Sequence, residues 1–367
     1  MNSRIICDLA PTADNNRNSE GAFLERKDGS ILFVYSRYGN EGHSDGAAAD
    51  LYGMVSEDQG ETFGEPFLLL KHQTVQADNV MSVSLMRMEN GDMGLFYLKK
   101  TEGNQCCCYL IRSSDEGISW GESVRCIPER GYFVVNNDRV IRCKSGRLLI
   151  AAAYHPSEAK QDEDGKWVLK STGPGVLKLF ASDDDGRSWR TLPVEKEIPV
   201  SRGCKTGVQE PGLLQLADGS IWCFIRTDAG RQYEAFGDEN GENWSQPLPS
   251  SFTSALSPLS AKRLKDGRLM AVWNPVPGYN GRQAGPEGFW NPGRTPLAVA
   301  FSADEGQSWS KPEPIEEDKQ SGYCYTAIYE TADGGVLLGY CAGGPADKCL
   351  LNRLRIRKLY LERGNFI

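Results

Sequence analysis

Five copies of one eight-residue frame punctuate the chain, and a fold for it must supply the same local corner five times. The copies read SEDQGETF from Ser56, SSDEGISW from Ser113, SDDDGRSW from Ser182, GDENGENW from Gly237 and SADEGQSW from Ser302. Their starts lie 57, 69, 55 and 65 residues apart, the spacing of a supersecondary unit with loop insertions. Within the frame an aspartate is placed to accept nearby backbone N–H groups, a glycine to turn left-handed, and an aromatic residue to pack inward as a strand begins. In the copy at Gly237, glycine replaces serine and Glu239 replaces the aspartate. The acids suggest a calcium loop, but the frame lacks the length and ligand count of one. It reads as a structural corner.

A second repeat lies between the corners. Glycine-containing turns open short apolar runs at Lys27, Asn90, Ser145, Ala217, Lys265 and Asp333, and each follows another short apolar run, which makes six hairpins. Helical periodicity is almost absent. Each unit therefore reads as strand, turn, strand, loop, strand, corner, strand. Six such units closing radially predict an all-β, six-bladed β-propeller over residues 1–367 as a single domain. The sixth unit has no corner, so its later strands are expected from Leu350 onward. The stretch from Arg4 to Leu9 is expected to pair there and close the ring.

Composition excludes several roles. No run approaches the roughly 18 apolar residues of a membrane helix, and the net charge of −8 disfavours nucleic acid. Eleven cysteines without a CxxC pair point to buried free thiols and away from zinc or iron–sulfur sites. The N-terminal MNSRIICDLAPTADNN holds too short an apolar run for a signal peptide, so a cytoplasmic location is expected.

The five corners resemble the aspartate boxes of the sialidase superfamily, whose members are six-bladed propellers with the boxes remote from the active site. A propeller aims the starts of its innermost strands at the central axis. Here those starts carry Arg17 to Glu20, Asn79 to Ser82, Asn136 to Arg139, Gln209 to Pro211, Ser257 to Pro258 and Tyr323 to Thr326. Burying so many polar groups near an axis is costly unless they face a wet pocket.

The resemblance implies a triad of arginines for a sugar carboxylate. Arg17 stands at the first position, with Asn-Ser where the family has Ile-Pro; Arg226 resembles the second and Arg294 the third. Tyr325 resembles the family's nucleophile and Glu210 the glutamate that deprotonates it, an exception to the two-carboxylate scheme of glycosidases. The acid/base aspartate is expected in the loop SRYGNEGHSDGAAADLYG, which offers Asp45 and Asp50; Asp45 is preferred for its glycine-bounded segment beside His43. Glu20, Asn79, Asn137, Asp138, Arg139 and His155 form a further polar set suited to sugar hydroxyls, and Arg37 is a second carboxylate contact or the partner of Asp45.

The function so implied is an exo-acting, retaining glycoside hydrolase that releases a terminal sialic acid or related keto-sugar from an acidic oligosaccharide, with no metal or organic cofactor. A hydrolase or lyase of uronate-containing glycans and a non-catalytic carbohydrate-binding propeller are the alternatives. Oligomeric state is left open.

Overall fold

A computed structural model describes residues 1–361 apart from 102, 104, 162, 164, 166 and 278–292. Among the described residues its strands form four antiparallel sheets of four strands, one nine-stranded sheet that holds the second and third groups in chain order, and a separate two-stranded hairpin. The first group runs Arg17–Glu25, Ile31–Tyr38, Ala49–Ser56 and Phe67–Leu70. In the fourth and fifth, Gln209–Gln215 and Ser260–Arg263 are the innermost strands. The second, starting at Asn79–Arg87, and the third, built around Leu148–His155, are joined by a parallel contact between Tyr132 and Cys106. The sixth starts at Cys324–Glu330, and in it Leu354–Tyr360 pairs on its outer side with Asn2–Leu9. Arg17–Glu25 packs on both Asn79–Arg87 and Cys324–Glu330, Ser260–Arg263 packs on both Gln209–Gln215 and Cys324–Glu330, and the third group meets the second through Tyr132–Val134 and the fourth through Leu148–His155, so the contacts run in a closed circuit. The chain is an all-β propeller.

Packing explains the sequence pattern. The second strand of each group lies between neighbouring sheets, so Ile31–Tyr38 and Gly335–Cys341 are apolar almost throughout and buried on both faces. At the seam between last and first groups, the fully buried Lys358 donates to Gln59 O at 2.9 Å, Glu61 at 2.9 Å and Asp333 at 2.7 Å. One hairpin, Ser157–Gln161 with Trp167–Ser171, is an insertion in the third group that the repeats do not mark.

The corners are built as their residues require. In SADEGQSW, Ser302 Oγ donates to Asp304 at 2.8 Å and accepts the Gly306 N–H at 2.8 Å, while Ser308 donates to the same carboxylate through N–H at 2.9 Å and Oγ at 2.5 Å. Gly306 takes a φ of 85°. Trp309 is half-buried, packed on Phe252 at 5.1 Å and Trp222 at 6.1 Å. The copy at Gly237 departs from its reading: Asp238, one residue early, accepts the Glu242 N–H at 2.9 Å and Asn243 Nδ2 at 2.6 Å, in place of Glu239. Glycine stands at 237 because a Cβ there would lie 2.5 Å from the Trp244 ring.

Hydrogen bonds from Ser308 and Ser302 hold the Asp304 carboxyl down at about 2, and Asp115 likewise. A depressed folded value contributes stability above the unfolded value of about 3.8 that is lost as pH falls through about 2. Asp304→Ala is therefore expected to lower the urea midpoint at pH 7, with the difference from wild type shrinking as pH falls through about 2. Equal midpoints at pH 7 would remove the carboxylate from the corner's stability.

Candidate active site

The innermost strands share a device that the repeats do not reveal. Five of the six carry a non-glycine residue in left-handed conformation near their start: Glu20 at φ 54°, Ser82 at 56°, Asp138 at 54°, Glu210 at 42° and Tyr325 at 59°. In four of them the pairing register shifts at that point: between Ser19 and Ala22, Met81 and Ser84, Gln209 and Gly212, and Cys324 and Ala327. A bulge of this kind re-aims a side chain out of the sheet. Gly21 and Gly212 permit two of the bulges, since a Cβ on either would lie within 2.3 Å of the Phe33 or Phe224 ring.

Four of these five residues line one cavity of about 370 Å³, together with Asp45, Lys100, Tyr132, Asn136, His155, Gln209, Arg226 and Arg294. On one wall Tyr325 Oη donates to Glu210 Oε1 at 3.0 Å, and Arg226 Nη1 donates to Glu210 Oε2 at 2.7 Å. Arg226 Nη1 also lies 3.5 Å from Tyr325 Oη. The Arg294 guanidinium stands 5.3 Å from the centre of the Tyr325 ring, anchored by Nε to Leu256 O at 3.0 Å and by Nη1 to Cys324 Sγ at 2.9 Å. Burial and the Glu210 charge push the Tyr325 phenol well up against the pull of Arg294 and Arg226. The free protein thus holds a neutral phenol on a carboxylate, where the sequence pointed to a phenolate.

The opposite wall is held differently. Arg17 is 1% exposed and does not line the cavity. Its Nη1 donates to Asp45 Oδ1 at 2.6 Å and His43 O at 3.2 Å, its Nη2 lies 3.3 Å from Glu20 Oε1, and its plane covers the Tyr38 ring. Asp45 and Glu20 stand between this guanidinium and the cavity. The Asp45 loop is fastened by Lys100 Nζ to Asp45 O at 2.6 Å and by Asn79 Nδ2 to Ala47 O at 2.5 Å. Burial pushes the Asp45 carboxyl up, but Arg17 and Lys100 outweigh it and hold it at about 2. The side chain is 57% exposed, so the depression comes from the Arg17 ion pair in a solvent-screened setting. Burial lowers His155, which packs edge-on against Tyr132 at 5.7 Å and is neutral at pH 7.

Several sequence assignments lie elsewhere. Asp50 accepts from the His72 N–H at 2.9 Å and pairs with its ring at 2.6 Å in a shallow outer groove, and Arg37 covers Tyr52 there; the partner of Asp45 is Arg17. His43 is exposed and contributes its carbonyl. Asn137 is a buried tie, donating to Gly21 O at 2.8 Å and Tyr325 O at 3.1 Å. Asp138 pairs with Lys262 at 3.0 Å, and Arg139 is buried against Phe224 and Leu259 O. None of these seven, counting Asn79, lines the cavity. Asn136, Ser82 and Gln209, which the sequence names only within its strand starts, do line it, as do Lys100 and Tyr132, which it does not name. Asn136 and Asn137 are neighbours between strands, and the former lines the cavity while the latter is spent on Gly21 O and Tyr325 O.

Comparison with known proteins fits this geometry. A BNR repeat-like domain model matches residues 73–338. The chain is a BNR-repeat protein of the sialidase superfamily. It is 25% identical over 249 residues to the anhydrosialidase of Macrobdella decora, a match that takes in 62% of this chain and 28% of that protein's length. The NanB sialidase of Streptococcus pneumoniae superposes with a TM-score of 0.70 at 14% identity, covering 97% of this chain and 70% of that one. A Dyadobacter fermentans protein of unknown function superposes at 0.71 with 16% identity, covering 98% and 99%. These structural likenesses establish the fold.

Proposed function

We propose that this BNR-repeat protein is an exo-acting, retaining glycoside hydrolase that releases a terminal carboxylated sugar, a sialic acid or related keto-sugar. The observation that carries this reading is the Tyr325–Glu210–Arg226 arrangement beneath Arg294 in one cavity. Arg226 and Arg294 offer guanidinium forks to the sugar carboxylate. Tyr325 Oη attacks the anomeric carbon, its proton passes to Glu210, and the glycosidic C–O bond breaks as Asp45 protonates the leaving oxygen. A neutral nucleophile avoids the repulsion that a carboxylate would meet beside the sugar's own charge. Water then attacks the tyrosyl glycoside with Asp45 as base, and the phenol recovers its proton from Glu210.

Asp45 must leave Arg17 to act. While paired it is ionised down to about pH 2 and has no proton to give. A substrate carboxylate arriving on Arg17 competes for the same Nη1, releases Asp45 and raises it toward the ordinary carboxyl range. Binding and arming of the acid are then one event. The cysteines are all free and ten of the eleven are buried, which suits a reducing cytosol.

The test is mass-resolved turnover on a panel of sialylated, keto-deoxy-sugar and uronate glycans. Release of sialic acid or a keto-deoxy sugar is the expected result; release of uronate, or an unsaturated product, would move the assignment to the uronate class. Release of a neutral hexose alone sinks the carboxylate clamp.

A further inference from the structure

Glu20 stands where an acidic ligand ought to be repelled. Its side chain is 3% exposed on the wall of the cavity, at the left-handed residue of the first bulge. Ser82 Oγ donates to its Oε2 at 2.5 Å, and Arg17 Nη2 lies 3.3 Å from its Oε1. The same guanidinium meets Asp45 at 2.6 Å, so two carboxyl groups share one cation and Asp45 holds the nearer place. The groups acting on Glu20 are Arg17 from its own strand, Asp45 from the loop after the second strand, Ser82 from the second blade and Glu210 from the fourth. Two anions oppose one divided cation. A sugar carboxylate in the cavity would make a third.

We propose that Glu20 binds the sugar as a neutral carboxylic acid, donating its proton in a hydrogen bond to an oxygen of the bound acidic sugar. This rests on the acidic-sugar reading of the cavity given above. With Ser82 and Arg17 donating to its two oxygens, the acid O–H is the one hydrogen that Glu20 has to offer the cavity. Burial, the largest influence on this carboxyl, raises it; Arg17 opposes, Asp45 raises it again, and it titrates at about 7. The sign follows: an acidic sugar favours the protonated form further, so affinity is full below about pH 7. Above that, binding must take up a proton and weakens about tenfold per pH unit. Glu20 is on this account a sugar-binding residue that makes the protein a weak-acid-side binder of anionic sugars.

Two measurements test this. In carboxyl ¹³C NMR of glutamate-labelled protein without ligand, the resonance that disappears in Glu20→Gln should have its midpoint near 7, and Ser82→Ala, which removes a donor favouring the anion, should move it higher. A midpoint near 4.5 overturns the proposal. In titration calorimetry at pH 7.5 with N-acetylneuraminic acid and with D-glucuronic acid, in two buffers of different ionisation heat, wild type should take up protons on binding. Glu20→Gln, whose amide donates at every pH, should take up almost none and keep a flat affinity from pH 6 to 8. Equal proton uptake by both proteins overturns the proposal and makes Asp45 the source. If Glu20 titrates near 7 and neither sugar binds anywhere between pH 5 and 8, the acidic-sugar reading has failed, and the proposal falls with it.

Discussion

Tyr325→Phe is expected to lower kcat for release of an acidic sugar by about 10³-fold or more, while thermal midpoint and product binding stay close to wild type. The substitution is sharp because the two roles of this residue separate at one atom. The ring is 8% exposed and lies under the Arg294 guanidinium at 5.3 Å, contacts that phenylalanine retains. The hydroxyl has one donor bond, to Glu210 at 3.0 Å, and Glu210 keeps its 2.7 Å bond from Arg226 when that hydroxyl is lost. A packed aromatic without chemistry would therefore lose almost nothing. Rapid quench and intact mass of wild type with a slow substrate should show a glycosyl adduct that the variant lacks. A kcat within about threefold of wild type would take the tyrosine out of the mechanism.

How much of this was legible depends on what kind of signal carried it. Corners and hairpins repeat, and a repeat exposes its own grammar: the frame around Asp304 reads the same in Asp58, Asp115 and Asp184, so the propeller follows from the chain alone. The copy at Gly237 was misread by one residue because its aspartate moved when Trp244 took the space of a serine side chain. Tyr325, Glu210, Arg226 and Arg294 entered through the resemblance to the sialidase superfamily, and all four line the one cavity. The polar set on the second and third blades was not. There the inward face depends on a bulge at Ser82 and a left-handed turn at Asp138, and a left-handed serine or aspartate leaves no mark that distinguishes it from an ordinary residue. Arg17 shows a different limit. The resemblance put it in the carboxylate-binding triad, yet its guanidinium is taken by Asp45 and Glu20, and no local pattern says which of three nearby carboxyls, Glu20, Asp45 or Asp50, will claim it.

That difference between the arginines makes Arg294→Lys the second large effect. Lysine keeps the charge but loses the fork, so any loss in binding measures geometry rather than net charge. Arg294 is wholly buried, held through Nε by Leu256 O and through Nη1 by Cys324, and it lines the cavity directly over the Tyr325 ring. An ammonium on a flexible stem has no donor in the place of Nε, and the carbonyl it leaves costs about 1–3 kcal/mol of stability. For a carboxylated substrate KM is expected to rise about 10²–10³-fold, the range for disrupting one side of a buried, hydrogen-bonded charge pair. Arg17→Lys should do less at the same pH, because its fork is already spent on Asp45 and Glu20 and meets substrate only after Asp45 moves. The control is an aryl glycoside of the same sugar with its carboxylate reduced to an alcohol: poor for wild type, it should be no poorer for Arg294→Lys. An equal KM rise on both substrates would mean that Arg294 supports the wall and never meets a carboxylate, and the clamp would then rest on Arg226 and Arg17.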